Sequence, residues 1–133
     1  MNHRIGHAPD AATFEKLARA AFARIPEPFA RHLSDIVIRV EDFADDETLD
    51  ALGIEDAWGL SGLYHGRPLD EQSVWSSGDM PPTITLYRMP LLAEWTETHV
   101  TLEALVSHVV IHEVGHHFGL SDAEMHAIEQ EGD

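Results

Sequence analysis

The chain contains no cysteine. That excludes a disulfide framework and any thiolate metal site, leaving histidine and carboxylate as the side chains able to hold a metal. Basic residues are scarce too. Eight Lys and Arg stand against 24 Asp and Glu, giving a formal net charge of −16 over 133 residues. A field of that sign repels nucleic-acid phosphates and anionic membrane surfaces, and favours neutral or basic peptide partners. No apolar run approaches the ~20 residues that a membrane span requires. The opening MNHRIGHAPD is polar and lacks the apolar region of a signal peptide, so a cytoplasmic location is the expectation. There is no repeat, low-complexity tract or linker. With 44% apolar residues, residues 1–133 are expected to form a single domain, with 1–9 as a loose tail.

Local patterns place the elements. Asp10 can cap a helix over Ala11–Arg24, in which Phe14, Leu17, Ala18, Ala21, Phe22 and Ile25 keep helical spacing. Pro26 and Pro28 end it, and a short helical turn through His32 can follow. The β-branched run Ile36–Val40 reads as a strand. The acidic stretch Glu41–Asp56 reads mainly as a solvated loop, with room for a short helix at Glu47–Leu52. Gly59–Tyr64 is expected to be a second strand, its glycines permitting close approach of another backbone. Gly66–Leu69 is a turn and is followed by a loop of about fifteen residues. Thr83–Arg88 alternates as a third strand, closed by Pro90. Thr98 or Thr101 can cap a long helix reaching Phe118, with Leu102, Leu105, Val109, His112 and His116 on one stripe, so that the histidines continue its buried face. Trp58, Trp75 and Trp95 are scattered singly and read as core or rim packing.

What the chain has in quantity is histidine, ten in all. Two of them carry the segment His112–Asp122, HEVGHHFGLSD, whose start fits H-E-x-x-H. On a helix, positions i and i+4 share a face, so His112 and His116 can offer imidazole nitrogens to one ion. Glu113 lies beside the first ligand, where a carboxylate can take a proton from water on the ion. Gly119 can adopt a left-handed conformation and end the helix. Asp122 can then supply an oxygen as third protein ligand and leave a fourth position open. Ser121–Glu124 matches a capping box, which makes Asp122 the first residue of a last helix. A chance H-E-x-x-H is expected only ~0.07 times in a chain of this composition, and the added Gly and Asp lower that to roughly 4 in 10,000.

HEVGHHFGLSD resembles the motif of the zincin metallopeptidases, in the subset where aspartate follows the glycine. More narrowly, GLYHGRPL (62–69), PTITLYR (82–88) and the 112–122 block resemble the small bacterial minimal zincins. The resemblance covers residues 35–125. It implies an α+β, minimal zincin-like fold: a small mixed β-sheet packed on an active-site helix, with flanking N- and C-terminal helices. It also implies one zinc ion on His112 and His116, with Asp122 as third ligand and Glu113 as general base. In larger zincins the peptide pairs with an edge strand above the metal, and Gly59–Tyr64 is the candidate edge here.

A peptidase needs a donor for the developing oxyanion; Tyr64, Tyr87, Arg88 and His126 are candidates. His108 reads as a partly exposed helix residue. His117 points about 100° from His116, where a surface or supporting role is expected. Only eleven residues follow Asp122, so a narrow or shallow site is expected. The leading reading is a zinc-dependent metallopeptidase of restricted specificity acting on peptide or protein substrates. A catalytically weak zincin-like module that binds a peptide around structural zinc stays open, as does a metal hydrolase of non-peptide amides.

Overall fold

The computed structural model describes residues 7–27, 29–66 and 81–131, without the side chains of residues 122 and 128–131. Helix α1, Ala11–Ala23, starts where Asp10 accepts hydrogen bonds from the Thr13 amide and hydroxyl, each at 2.9 Å. Its apolar positions Phe14, Ala18 and Ala21 are fully buried. A 3-10 turn at Ala30–His32 leads into strand β1, Val37–Glu41.

The acidic stretch is more ordered than a solvated loop. It contains helix α2, Asp46–Leu52, capped by Asp45 and closed by Gly53 in the left-handed conformation, then a 3-10 turn at Ala57–Gly59. That turn displaces the second strand toward the C-terminus of its expected position, so β2 is Gly62–His65. The expected turn and long loop fall largely on 67–80, outside the described residues, as does Trp75.

Strand β3, Thr83–Tyr87, is buried at every position. The burial follows from its place: the sheet order is β1-β3-β2, with β1 parallel and β2 antiparallel to β3. One face of β3, with Ile84 and Leu86, joins the main core. Tyr87 joins a smaller cluster with Ala44 and Leu49, packed by Ile54, Leu60 and Leu63. Pro90 does not close the strand with a loop. Arg88 already begins helix α3, Arg88–Glu97, and Pro90 lies in its first turn, where a missing N–H costs nothing.

Helix α4, Leu102–Phe118, is capped by Thr101, whose hydroxyl accepts from the Ala104 amide at 3.1 Å. It packs against α1 on one side and β2 and β3 on another, with α3 and α5 alongside. Its C-terminus is a Schellman motif: Gly119 has φ 69, Leu120 N–H bonds Gly115 C=O at 2.9 Å, and Gly119 N–H bonds His116 C=O at 3.2 Å. Ser121 and Glu124 then exchange amide-to-side-chain hydrogen bonds at 3.0 and 3.2 Å, the expected capping box, and α5 runs Asp122–Glu131. The chain is therefore α+β, with a three-stranded mixed sheet beside the motif helix. No helix among the described residues is long and apolar enough to cross a membrane. Of the three tryptophans, Trp95 packs partly buried on the core, while Trp58 is 51% exposed with one edge against Phe43.

Candidate metal centre and active site

His112 and His116 lie one turn apart on α4, with ring centroids 5.1 Å apart and planes inclined by 53°. Both are exposed, which corrects the expected stripe. The buried line through Leu105 and Val109 continues instead through Glu113, Val114 and His117. The difference is one position on the helix: at about 100° per residue, the step of four from Val109 to Glu113 and on to His117 stays on the packed face, whereas His112 and His116 each stand one residue back and turn out of it.

Glu113 faces inward beside the pair, its side chain 9% exposed and its Oε1 3.7 Å from His116 Nδ1. Burial pushes its carboxyl above the ordinary carboxylate range. The nearby His112 charge and a hydrogen bond from the Tyr64 backbone N–H oppose that shift. A carboxylate placed this way is suited to accept a proton and to return it.

Strand β2 supplies that amide because it lies directly on α4. A Cβ at Gly62 would stand 2.6 Å from Val109 Cγ1 and 3.7 Å from Glu113 Cγ, so only glycine fits without displacement. The hydrogen bond from Tyr87 N–H to Ser61 C=O, 3.0 Å, sets the ladder phase. By antiparallel alternation, the main-chain groups of Gly62 and Tyr64 then face away from β3, toward the outer side of β2. The strand's glycines are expected to admit another backbone; at Gly62 it is the Val109 side chain of α4 that comes close.

The remaining candidates separate. Tyr64 is half-buried, with its hydroxyl 2.8 Å from His117 Nδ1 and its pKa raised by burial. Tyr87 lies in the small cluster on the opposite sheet face from α4. Arg88 bonds Asp42 Oδ1 and the Pro9 carbonyl, each at 2.9 Å, tying the chain start to the β1–α2 connection. Neither is brought to the histidine pair. His126 is exposed on α5, and His108 is exposed on α4. Asp122 opens α5 as expected, immediately after the turn at Gly119; its side chain lies outside the described residues. His117 is not at the surface. It is 1% exposed, with its ring edge against Tyr64 and Phe118. The HH doublet marked a second imidazole, but without the strand's position nothing in the sequence paired it with Tyr64.

The donor set fits a borderline ion such as zinc: two imidazoles on adjacent turns, no thiolate, and a carboxylate at their side. Among the described side chains, no group of three His, Asp or Glu is placed to hold a metal ion.

A family model described as zincin-like metallopeptidase matches residues 33–132, most of the chain and all of the segment that builds this site. No curated protein matches the chain.

Proposed function

The chain belongs to the zincin-like metallopeptidase family, and from that premise we propose that it is a zinc-dependent peptidase of restricted specificity, with Glu113 as general base. The observation that supports this most is the placement of Glu113. It is a buried carboxylate, raised in pKa by that burial, 3.7 Å from one of two exposed imidazoles on one helix.

In this reading His112, His116 and Asp122 hold the ion. When bound, zinc would acidify water and polarise the scissile carbonyl. Glu113 removes the proton from the attacking water and passes it to the leaving amine, a transfer that suits a carboxyl poised above its ordinary range. The Tyr64 amide keeps the Glu113 carboxylate from turning away. A peptide backbone lies along the outer side of β2, pairing with groups of Gly62 that face away from β3. With 24 acids against eight bases, the surface favours neutral or basic peptides.

The test is turnover on a peptide library by wild type and Glu113→Gln, each with measured zinc content. Retained zinc with turnover reduced about 100-fold or more supports the base assignment. Equal turnover in the two proteins overturns it. Binding of the same peptide by both, with turnover in neither, identifies a peptide-binding module around a structural ion.

A further inference from the structure

His117 is difficult to explain as packing. It is 1% exposed, and its Nε2 is buried with no hydrogen-bond partner among the described residues. A leucine or phenylalanine would fill the same space without burying a lone polar nitrogen, which is unfavourable in a core. What the imidazole adds is its other nitrogen. Nδ1 lies 2.8 Å from the Tyr64 hydroxyl and joins α4 to β2 across 53 residues of sequence.

Tyr64 thus meets α4 twice. Its hydroxyl meets His117, and its backbone amide donates to Glu113, one turn earlier on the same helix. Glu113 and His117 are four residues apart and so share a face of α4. Gly62 supplies the approach that both contacts require, since any side chain there would press on Val109. On its outer side β2 has no ladder from β3 to hold the Tyr64 amide in place. The hydroxyl contact ties this residue to α4 from its side chain.

We propose that His117 is a positioning residue for Glu113: by holding the Tyr64 hydroxyl it fixes β2 on α4, and so keeps the Tyr64 amide on the Glu113 carboxylate. This rests on the reading of Glu113 as general base for its catalytic consequence, and on geometry alone for the clamp. His117 touches neither the substrate nor the ion in this arrangement. It acts through Tyr64.

The clamp is tested on metal-free protein by hydrogen exchange of the Tyr64 amide, measured by NMR in wild type, Tyr64→Phe, His117→Leu and His117→Gln. Tyr64→Phe removes one oxygen and leaves the packing, so it serves if His117→Leu fails to fold. The expected result is exchange about 10-fold faster or more at Tyr64 in the Phe and Leu variants, with β3 amides unchanged. His117→Gln, whose amide can still meet the hydroxyl, recovers much of the protection. The double variant is no worse than either single one, because both remove the same contact. Unchanged Tyr64 exchange in folded Tyr64→Phe and His117→Leu overturns the clamp.

The catalytic consequence is read separately, in zinc-loaded protein. A displaced base lowers kcat by up to about 100-fold with KM and zinc content little changed. Loss of zinc or of thermal stability in step with activity would make His117 structural only. If wild type turns over no peptide while the exchange results stand, the clamp survives and the peptidase reading fails.

Discussion

Met125 on α5 occupies the space that a side chain at Gly115 would need. Gly115 is one of the two unspecified positions of H-E-x-x-H, and here it is the notch through which the last helix seats on the motif helix. Gly115→Ala would force α5 outward or Met125 out of its place. The expected cost is about 1–3 kcal/mol, as for other overpacked contacts. A urea midpoint shift with unchanged slope would measure it; no shift would show that α5 moves freely on α4.

Gly62 makes the matching contact on the other side of α4. Gly62→Ala brings a methyl to 2.6 Å from Val109 Cγ1 and is expected to destabilise by about 1–3 kcal/mol. Adding Val109→Ala opens room for that methyl, so the double variant should lose less than the two single losses combined. Strict additivity would place the strain elsewhere.

Asp122 opens α5 directly after the left-handed turn at Gly119. As the proposed third ligand it should matter for ion retention. Asp122→Ala is expected to release zinc to a competing chelator at a concentration at least 10-fold lower than wild type requires. Equal retention would remove Asp122 from the ligand set and leave His112 and His116 with a ligand from elsewhere.

Burial holds the pKa of His117 below the ordinary histidine value of 6.5, helped by His32 and opposed by Asp35. Below about pH 6.5 the unfolded chain takes up a proton there that the folded chain resists, so stability falls with pH through that window. Glu113 works in the opposite sense. Its pKa is raised in the fold, so its burial penalty is relieved as pH falls through its folded value. The two are separated in metal-free protein on a Glu113→Gln background. There, denaturation midpoints of a protein keeping His117 should fall between pH 7 and 5 more steeply than those of one carrying His117→Gln. Parallel profiles would contradict the assignment.

Much of the architecture is written locally. Asp10, Thr101 and Ser121 each cap the helix that follows, and Gly119 ends the motif helix, because these residues act on backbone within a turn of themselves. Less local features were harder to read. Pro90 suggested an end to β3, yet the chain passes directly from strand to helix, since a proline in a first helical turn removes no internal hydrogen bond. The charge of the acidic stretch indicates a solvated loop, although Ala44 and Leu49 bury themselves against Tyr87. Their partner lies some forty residues away, beyond the reach of periodicity.

The motif helix shows the same division. H-E-x-x-H, the glycine and the aspartate at their offsets mark a candidate metal centre by spacing alone, because one helix sets the geometry of both imidazoles. Which faces are wet and which are dry depends on neighbours. His112 and His116 open to solvent while Glu113 and His117 turn inward, because α1 and the sheet flank α4 and strand β2 lies on it at Gly62. The sequence by itself determined that the candidate donors His112 and His116 stand one turn apart on a single helix. Tertiary structure alone decided that Tyr64 meets both Glu113 and His117, since hydrogen bonds between a strand and a distant helix exist only once packing has brought the two together.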